Sequence, residues 1–118
     1  MLRYINDNCL GDYFMRYIRF FKELNINDVP MVGGKNASLG EMYQNLTPKG
    51  IHVPNGFATT SDAYWLLLEE NDIKDEIHHI LRDLDISNTS NLQKRGLAVR
   101  KLILNSKLPI ALEDEILQ

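Results

Sequence analysis

The spacing of apolar side chains predicts a strand followed by a helix in the first half of the chain. Residues 16–24 (RYIRFFKEL) are rich in aromatic and β-branched side chains, which is typical of a strand. Apolar residues further along recur at i, i+3, i+4 and i+7, a spacing that places them on one helix face: Leu39, Met42, Tyr43 and Leu46. This pattern predicts a helix that begins at the pair Gly33-Gly34 and ends before the proline and glycine of residues 47–50.

The rest of the chain is predicted to be almost entirely helical. Residues 56–59 are expected to form a second strand, and Ser61 is the expected N-cap of the helix that follows. Ser90 begins a Ser-x-x-Gln capping box for a long helix, and a final helix is expected from about Ala111. The predicted fold is therefore α/β (α+β), a short incomplete sheet with several packed helices. Because a two-stranded sheet is marginal without further cover, this predicts the front part of a larger domain.

Composition and charge exclude several classes of protein. The chain has 118 residues, of which 44% are hydrophobic and 25% charged, as in an ordinary globular domain. Thirteen basic residues against sixteen acidic ones give a net charge of −3, which argues against nucleic-acid binding through bulk positive charge. No run approaches the roughly 20 apolar residues that cross a membrane, and residues 1–15 fail as a secretory signal. The single cysteine, Cys9, cannot form an internal disulfide, so a cytoplasmic location is expected.

The segment MVGGKNASLGEM (residues 31–42) carries the candidate chemistry. The first amides of a helix lack partners within it and lie at the positive end of the helix dipole. Gly33 and Gly34 let a phosphate approach these amides, and Lys35 adds a full charge, so the segment is a candidate phosphate site. Asn36 joins the candidate ligands by its place in the motif. The segment does not match the Walker A pattern, and on composition alone a glycine cap followed by a solvated lysine is the commoner explanation.

The segments VGGKNASLGEM (residues 32–42) and VPNGFATT (residues 53–60) closely resemble the beginning of the phosphoenolpyruvate synthase (pyruvate, water dikinase) family. Pyruvate phosphate dikinases and rifampin phosphotransferases share the opening more loosely, and the second segment favours the synthases. The resemblance covers residues 16–118 as a partial ATP-grasp-like nucleotide-binding subdomain and leaves residues 1–15 as an unmatched leader.

This resemblance implies a function as well as a fold. It implies that Lys35 contacts the phosphates of ATP and that Gly33 and Gly34 shape their approach. It also implies Mg²⁺, which neutralises phosphate charge. The family's reaction converts ATP, pyruvate and water to AMP, phosphoenolpyruvate and phosphate through a phosphohistidine. ATP is therefore the expected partner, with no nucleic acid and no membrane.

Parts of the family's machinery are missing from this sequence. The family's phosphorylated histidine lies in a Thr-x-Gly-Gly-x-x-x-His context, which His52, His78 and His79 lack. Residues 98–100 (AVR) fall within a predicted helix and are followed by Lys101, so they do not correspond to the family's Ala-Val-Arg-Ser-Ser segment. No catalytic residue and no metal ligand is therefore assigned, and the isolated chain is expected to be inactive. The alternative is a non-catalytic truncated product or a helical interaction module, and exposed helix faces would favour self-association in either case.

Overall fold

The computed structural model describes residues 16–118, and the leader expected at residues 1–15, with Cys9, lies outside the described residues. The described part of the chain is mostly helical and contains one two-stranded sheet. Its strands and α-helices are β1 Ile18–Phe20, α1 Val29–Val32, α2 Gly34–Leu46, β2 Phe57–Thr59, α3 Ser61–Glu70, α4 Lys74–Leu81, α5 Thr89–Asn105 and α6 Ile110–Leu117. The expected combination of a short sheet with several helices is confirmed, and none of the helices in this part is long and apolar enough to span a membrane.

The sheet pairs β1 with β2 in antiparallel register, with Ile18 opposite Thr59 and Phe20 opposite Phe57. The first strand is shorter than the expected segment of residues 16–24. It ends at Phe20 because the Glu23 carboxylate accepts a hydrogen bond from the Phe20 amide at 3.0 Å, which closes a 3₁₀ turn over Phe21–Glu23. The second strand lies within the segment predicted for it.

Two helix starts lie slightly earlier than the serines that were expected to cap them. Thr60, not Ser61, caps α3, because its hydroxyl oxygen accepts from the amide three residues later at 3.4 Å. Asn88, not Ser90, caps α5, and its side-chain oxygen accepts from the amide three residues later at 3.0 Å. The Ser61 and Ser90 predictions were therefore wrong by one and two residues. The last helix begins at Ile110, one residue before the predicted start.

Helix α2 packs through its smallest residues. Of the apolar stripe predicted for this helix, Leu39 and Tyr43 are partly buried against the core cluster that contains Leu24 and Ala37, but Met42 is 41% exposed. The most deeply buried positions of α2 are Ala37 and Gly40 instead. This face approaches the backbone of the segment after β1 so closely that large side chains do not fit there.

A buried carboxylate joins the last helix to the first strand. Glu115 of α6 is only 7% exposed, and its Oε2 atom accepts from the amides of Tyr17 at 2.7 Å and Ile18 at 3.0 Å. Its Oε1 atom accepts from the amide of Arg16 at 3.0 Å. Beside these bonds, Leu112 of α6 packs in the core cluster that contains Ile18. Helix α6 therefore holds the start of β1 through both hydrogen bonds and apolar contact.

Several large apolar side chains of the helical half remain in contact with solvent. They are more than 70% exposed and lie on or beside α5 and α6: Ile86, Leu104, Ile110 and Leu117. Exposed apolar area of this kind is typical of surfaces that become covered in a larger assembly. Self-association through these helix faces stays a prediction.

Candidate functional site

The candidate site lies at the junction of two helices. Gly33 adopts φ 81° and ψ 160°, a backbone conformation that strains any residue with a Cβ atom. Its amide donates to the carbonyl of Val29 at 2.9 Å, and its carbonyl accepts from the amide of Ala37 at 3.0 Å. One glycine thus ends α1 and begins α2, and it sets the direction in which α2 presents its first turn.

The first turn of α2 offers backbone donors to solvent. The amides of Gly34, Lys35 and Asn36 have no acceptor within α2, because the helix ladder begins with the amide of Ala37. They lie at the positive end of the dipole of a 13-residue helix. Gly34 and Lys35 are both exposed, and a Cβ atom built on Gly34 would meet no heavy atom within 4 Å. The site therefore has the donors, the charge and the open space that a phosphate group requires.

Asn36 has a structural role in this arrangement. Its Nδ2 atom donates to the carbonyl of Val32 at 2.9 Å, which ties the end of α1 to the first turn of α2. One of its two amide hydrogens is therefore committed to holding the junction. The assignment of Asn36 as a phosphate ligand stays a prediction, whereas its contact with Val32 explains why an asparagine suits this position.

The second half of the motif anchors α2 to the segment after β1. A Cβ atom built on Gly40 would lie 2.6 Å from the carbonyl oxygen of Leu24, and that carbonyl also accepts from the side chain of Gln44. The Glu41 carboxylate accepts from the amide of Ile26 at 3.1 Å. Within residues 31–42, Gly33–Lys35 are thus exposed, whereas Ala37 and Gly40 are packed. The sequence signal for the packed face is this pair of small residues, three positions apart.

The described residues do not bring together a metal site. Between residues 16 and 118, no group of three or more His, Cys, Asp or Glu side chains is placed to hold a metal ion. His52, His78 and His79 are exposed. Residues 98–100 lie inside α5, as the sequence pattern predicted. The His, Cys, Asp and Glu side chains of residues 16–118 are therefore not gathered into a metal-binding group.

Comparison with known proteins decides the family. The model of the pyruvate phosphate dikinase AMP/ATP-binding domain matches residues 29–118, a range that includes the whole motif at the start of α2. The chain belongs to the pyruvate phosphate dikinase AMP/ATP-binding domain family. Membership supports a nucleotide-binding role at the level of the domain, because the family is described as an AMP/ATP-binding domain.

Curated relatives of this AMP/ATP-binding domain chain are phosphoenolpyruvate synthases, as the sequence resemblance predicted. The chain is 52% identical to the phosphoenolpyruvate synthase of Helicobacter pylori over 104 residues, which cover 88% of this chain and 13% of that protein. It is 46% identical to the synthase of Synechocystis sp. and 41% identical to that of Escherichia coli, each over 99 residues, 84% of this chain and 12% of the relative. The chain thus spans about an eighth of the length of the synthases it matches.

Proposed function

We propose that this chain supplies the phosphate-binding N-terminal part of the nucleotide-binding domain of a phosphoenolpyruvate synthase-like enzyme. The reaction of that enzyme would convert ATP, pyruvate and water to AMP, phosphoenolpyruvate and phosphate through a phosphohistidine. One observation carries the proposal: the first turn of α2 presents free amides beside the exposed Lys35, with open space at Gly34. The ATP-grasp-like fold and a cytoplasmic location belong to the same proposal.

Each part of the site has a defined role toward a nucleotide phosphate. The amides of Gly34 and Lys35 donate to phosphate oxygens, and the Lys35 ammonium group neutralises part of their charge. Hydrogen bonds to a charged group contribute about 1.5–3 kcal/mol each before the cost of association is subtracted. Two or three of them support only weak binding, with a Kd of about 1 mM. The remaining ligands of a tight site would come from other parts of such an enzyme.

The Mg²⁺ ion implied by the resemblance is not assigned to this part of the chain. When bound, Mg²⁺ would neutralise charge on the nucleotide phosphates. Residues 16–118 hold no cluster of His, Cys, Asp or Glu side chains that fits it. The role proposed for this chain is therefore limited to holding and orienting the phosphates through backbone amides and one ammonium group.

Titration with ATP should shift the amide resonances of Gly34, Lys35 and Asn36 in a saturable way. Lys35→Ala should weaken this binding about 10-fold or more, because it removes one charge-assisted contact. Lys49→Ala is the matched control, since Lys49 is also exposed but lies in the turn after α2. Gly34→Ala should weaken binding without loss of stability, because its methyl group points toward the approach path and meets no protein atom. Equal effects of the Lys35 and Lys49 variants would argue against the site.

The isolated chain should form no phosphoenolpyruvate from ATP, pyruvate and Mg²⁺. The reason is that none of the three histidines lies in the phosphohistidine context and no metal-binding group is assembled in residues 16–118. Radiolabelled ATP provides the measurement, with a reaction lacking protein as its blank. Formation of phosphoenolpyruvate above that blank would contradict the prediction that the isolated chain is inactive.

The exposed apolar side chains of α5 and α6 favour a second candidate function, that of a non-catalytic helical interaction module.

A further inference from the structure

A cavity of about 580 Å³ lies between the end of α4 and the first half of α5. It includes none of the Gly33–Asn36 positions, so it is separate from the site proposed for ATP. Three basic side chains line it, His79 from α4 and Lys94 and Arg95 from α5, and none of the acidic side chains of residues 16–118 does. Because the whole chain carries a net charge of −3, a cavity lined only by basic and neutral groups departs from the average surface.

Arg95 is fixed in place by neutral partners. Its Nη1 atom donates to the carbonyls of Ile80 at 2.5 Å and Arg82 at 2.8 Å, and its Nε atom donates to the Oδ1 atom of Asn91 at 3.1 Å. These bonds hold the guanidinium plane rigidly, but none of them compensates its charge. The one salt bridge among residues 16–118 joins Arg16 to Asp62, so no described carboxylate pairs with Arg95.

Each of the two asparagine side chains near Arg95 already accepts one hydrogen bond. The Oδ1 atom of Asn88 accepts from the amide of Asn91, and the Oδ1 atom of Asn91 accepts from Arg95. Both asparagines also carry Nδ2 donor groups. Ser90 adds a hydroxyl group to the lining, and Lys94 adds an ammonium group. The cavity therefore offers several donors and two permanent positive charges to whatever occupies it.

The loop between α4 and α5 contains two acidic residues, Asp83 and Asp85, and the Asp85 side chain is bonded within that loop. The Asp85 carboxylate accepts from the hydroxyl of Ser87 at 2.6 Å and from the Ser87 amide at 3.0 Å. The hydroxyl bond, followed by the amide bond, holds the pKa of Asp85 below its ordinary value. Neither Asp83 nor Asp85 is among the side chains that line the cavity.

We propose that this cavity binds the phosphate group of a small organic phosphate. A guanidinium with two free Nη2 donors, next to a lysine, is suited to the two charges and several oxygens of a phosphate monoester. The volume is within the range of ligand sites and exceeds what one phosphate ion fills, which leaves room for an organic group. Ile80 and Ala98 supply apolar wall for that group. A purely structural role for Arg95, as a cap at the end of α4, would explain its bonds to two carbonyls. It would not explain why Lys94 and His79 line the same cavity.

The test is a titration of the full chain, followed through its amide and arginine side-chain resonances at constant ionic strength. The probes are inorganic phosphate, phenyl phosphate and acetate. Phenyl phosphate should bind more tightly than inorganic phosphate, acetate should bind most weakly, and the saturable shifts should lie at Ser90, Asn91 and Arg95. Lys94→Glu should weaken phenyl phosphate binding at least 10-fold. Lys101→Glu, the same change of charge two turns along the same helix, should weaken it less than 2-fold.

Several outcomes would overturn the proposal. These are the absence of saturable shifts, equal losses in the Lys94 and Lys101 variants, and acetate binding as tight as that of phenyl phosphate. Arg95→Lys keeps the charge but loses the planar donors, so unchanged binding in this variant would also contradict it. If Arg95→Lys unfolds, the comparison of Lys94→Glu with Lys101→Glu decides the question. Because resonances of Gly34–Asn36 report the ATP site separately, failure at one site is distinguishable from failure at the other.

Discussion

Replacing Glu115 with alanine is expected to lower the free energy of unfolding by about 3–5 kcal/mol, because it removes a buried carboxylate and leaves one buried and two partly buried backbone donors without their acceptor. The carboxylate accepts from three amides at 2.7–3.0 Å, and these belong to Arg16, Tyr17 and Ile18 at the start of β1. Small domains are stable by only about 5–15 kcal/mol, so a loss of this size should be plain in a urea unfolding curve followed by circular dichroism.

Two further variants show whether this loss comes from the three hydrogen bonds. Glu113→Ala removes the same side chain from an exposed position of α6 and should change stability by less than about 0.5 kcal/mol. Glu115→Gln keeps the shape and one oxygen but turns an amide group toward a backbone donor, so its cost should lie between the two alanine variants. Similar losses for the Glu113 and Glu115 alanine variants would contradict a specific role for the buried carboxylate.

Gly40→Ala is expected to destabilise the protein by about 1–3 kcal/mol, against the usual preference of helices for alanine. The added Cβ atom would lie 2.6 Å from the carbonyl oxygen and 2.9 Å from the carbonyl carbon of Leu24. Both are backbone atoms, so they cannot move aside by a rotamer change. Relief would require α2 to shift away from the segment after β1, at the expense of the core cluster that contains Leu24 and Ala37. Thermal and urea unfolding measure the loss.

Gly96→Ala is the matched control, because it makes the same substitution in the interior of another helix. Gly96 lies in α5, and a Cβ atom built there would meet no heavy atom within 4 Å. Alanine should therefore stabilise the protein by about 0.5–1 kcal/mol through helix propensity alone. Opposite signs for the two substitutions would establish the close approach of α2 to Leu24. A stabilising Gly40→Ala variant would contradict this close contact between α2 and the backbone of Leu24.

The helix starts could be predicted from the sequence to within about two residues, because the residues that determine them lie close together along the chain. The start of α2 was predictable because Gly33 supplies a conformation that other residues avoid. The sequence does not distinguish which residue caps α3, because Thr60 and Ser61 are adjacent and both residue types are good N-caps. A tertiary contact accompanies the choice of Thr60, whose hydroxyl donates to the carbonyl of Arg16 at 2.9 Å. Helix propensity alone contains no information about that contact.

The two proposed sites differ in how visible they are in the sequence. The Gly33–Asn36 segment is continuous, and the function proposed for it depends on the start of one helix, so its residues are adjacent in the motif. The cavity around Arg95 is built from side chains of two helices and from carbonyls at the end of α4. Basic residues at Lys94 and Arg95 look like a solvated helix face in the sequence. Only the packing of α4 against α5 brings them to the edge of a cavity, and no fixed spacing predicts such packing.

The hydrogen bonds between Glu115 and the start of β1 also constrain the order in which the protein can fold during translation. The Ile18 amide leaves the ribosome 97 residues ahead of the side chain that will accept its hydrogen. At about 5–20 residues per second, this strand must wait about 5–20 s before its acceptor has been synthesised. During that interval the nascent β1 has donors but no carboxylate, and it is exposed to pairing with other extended chains.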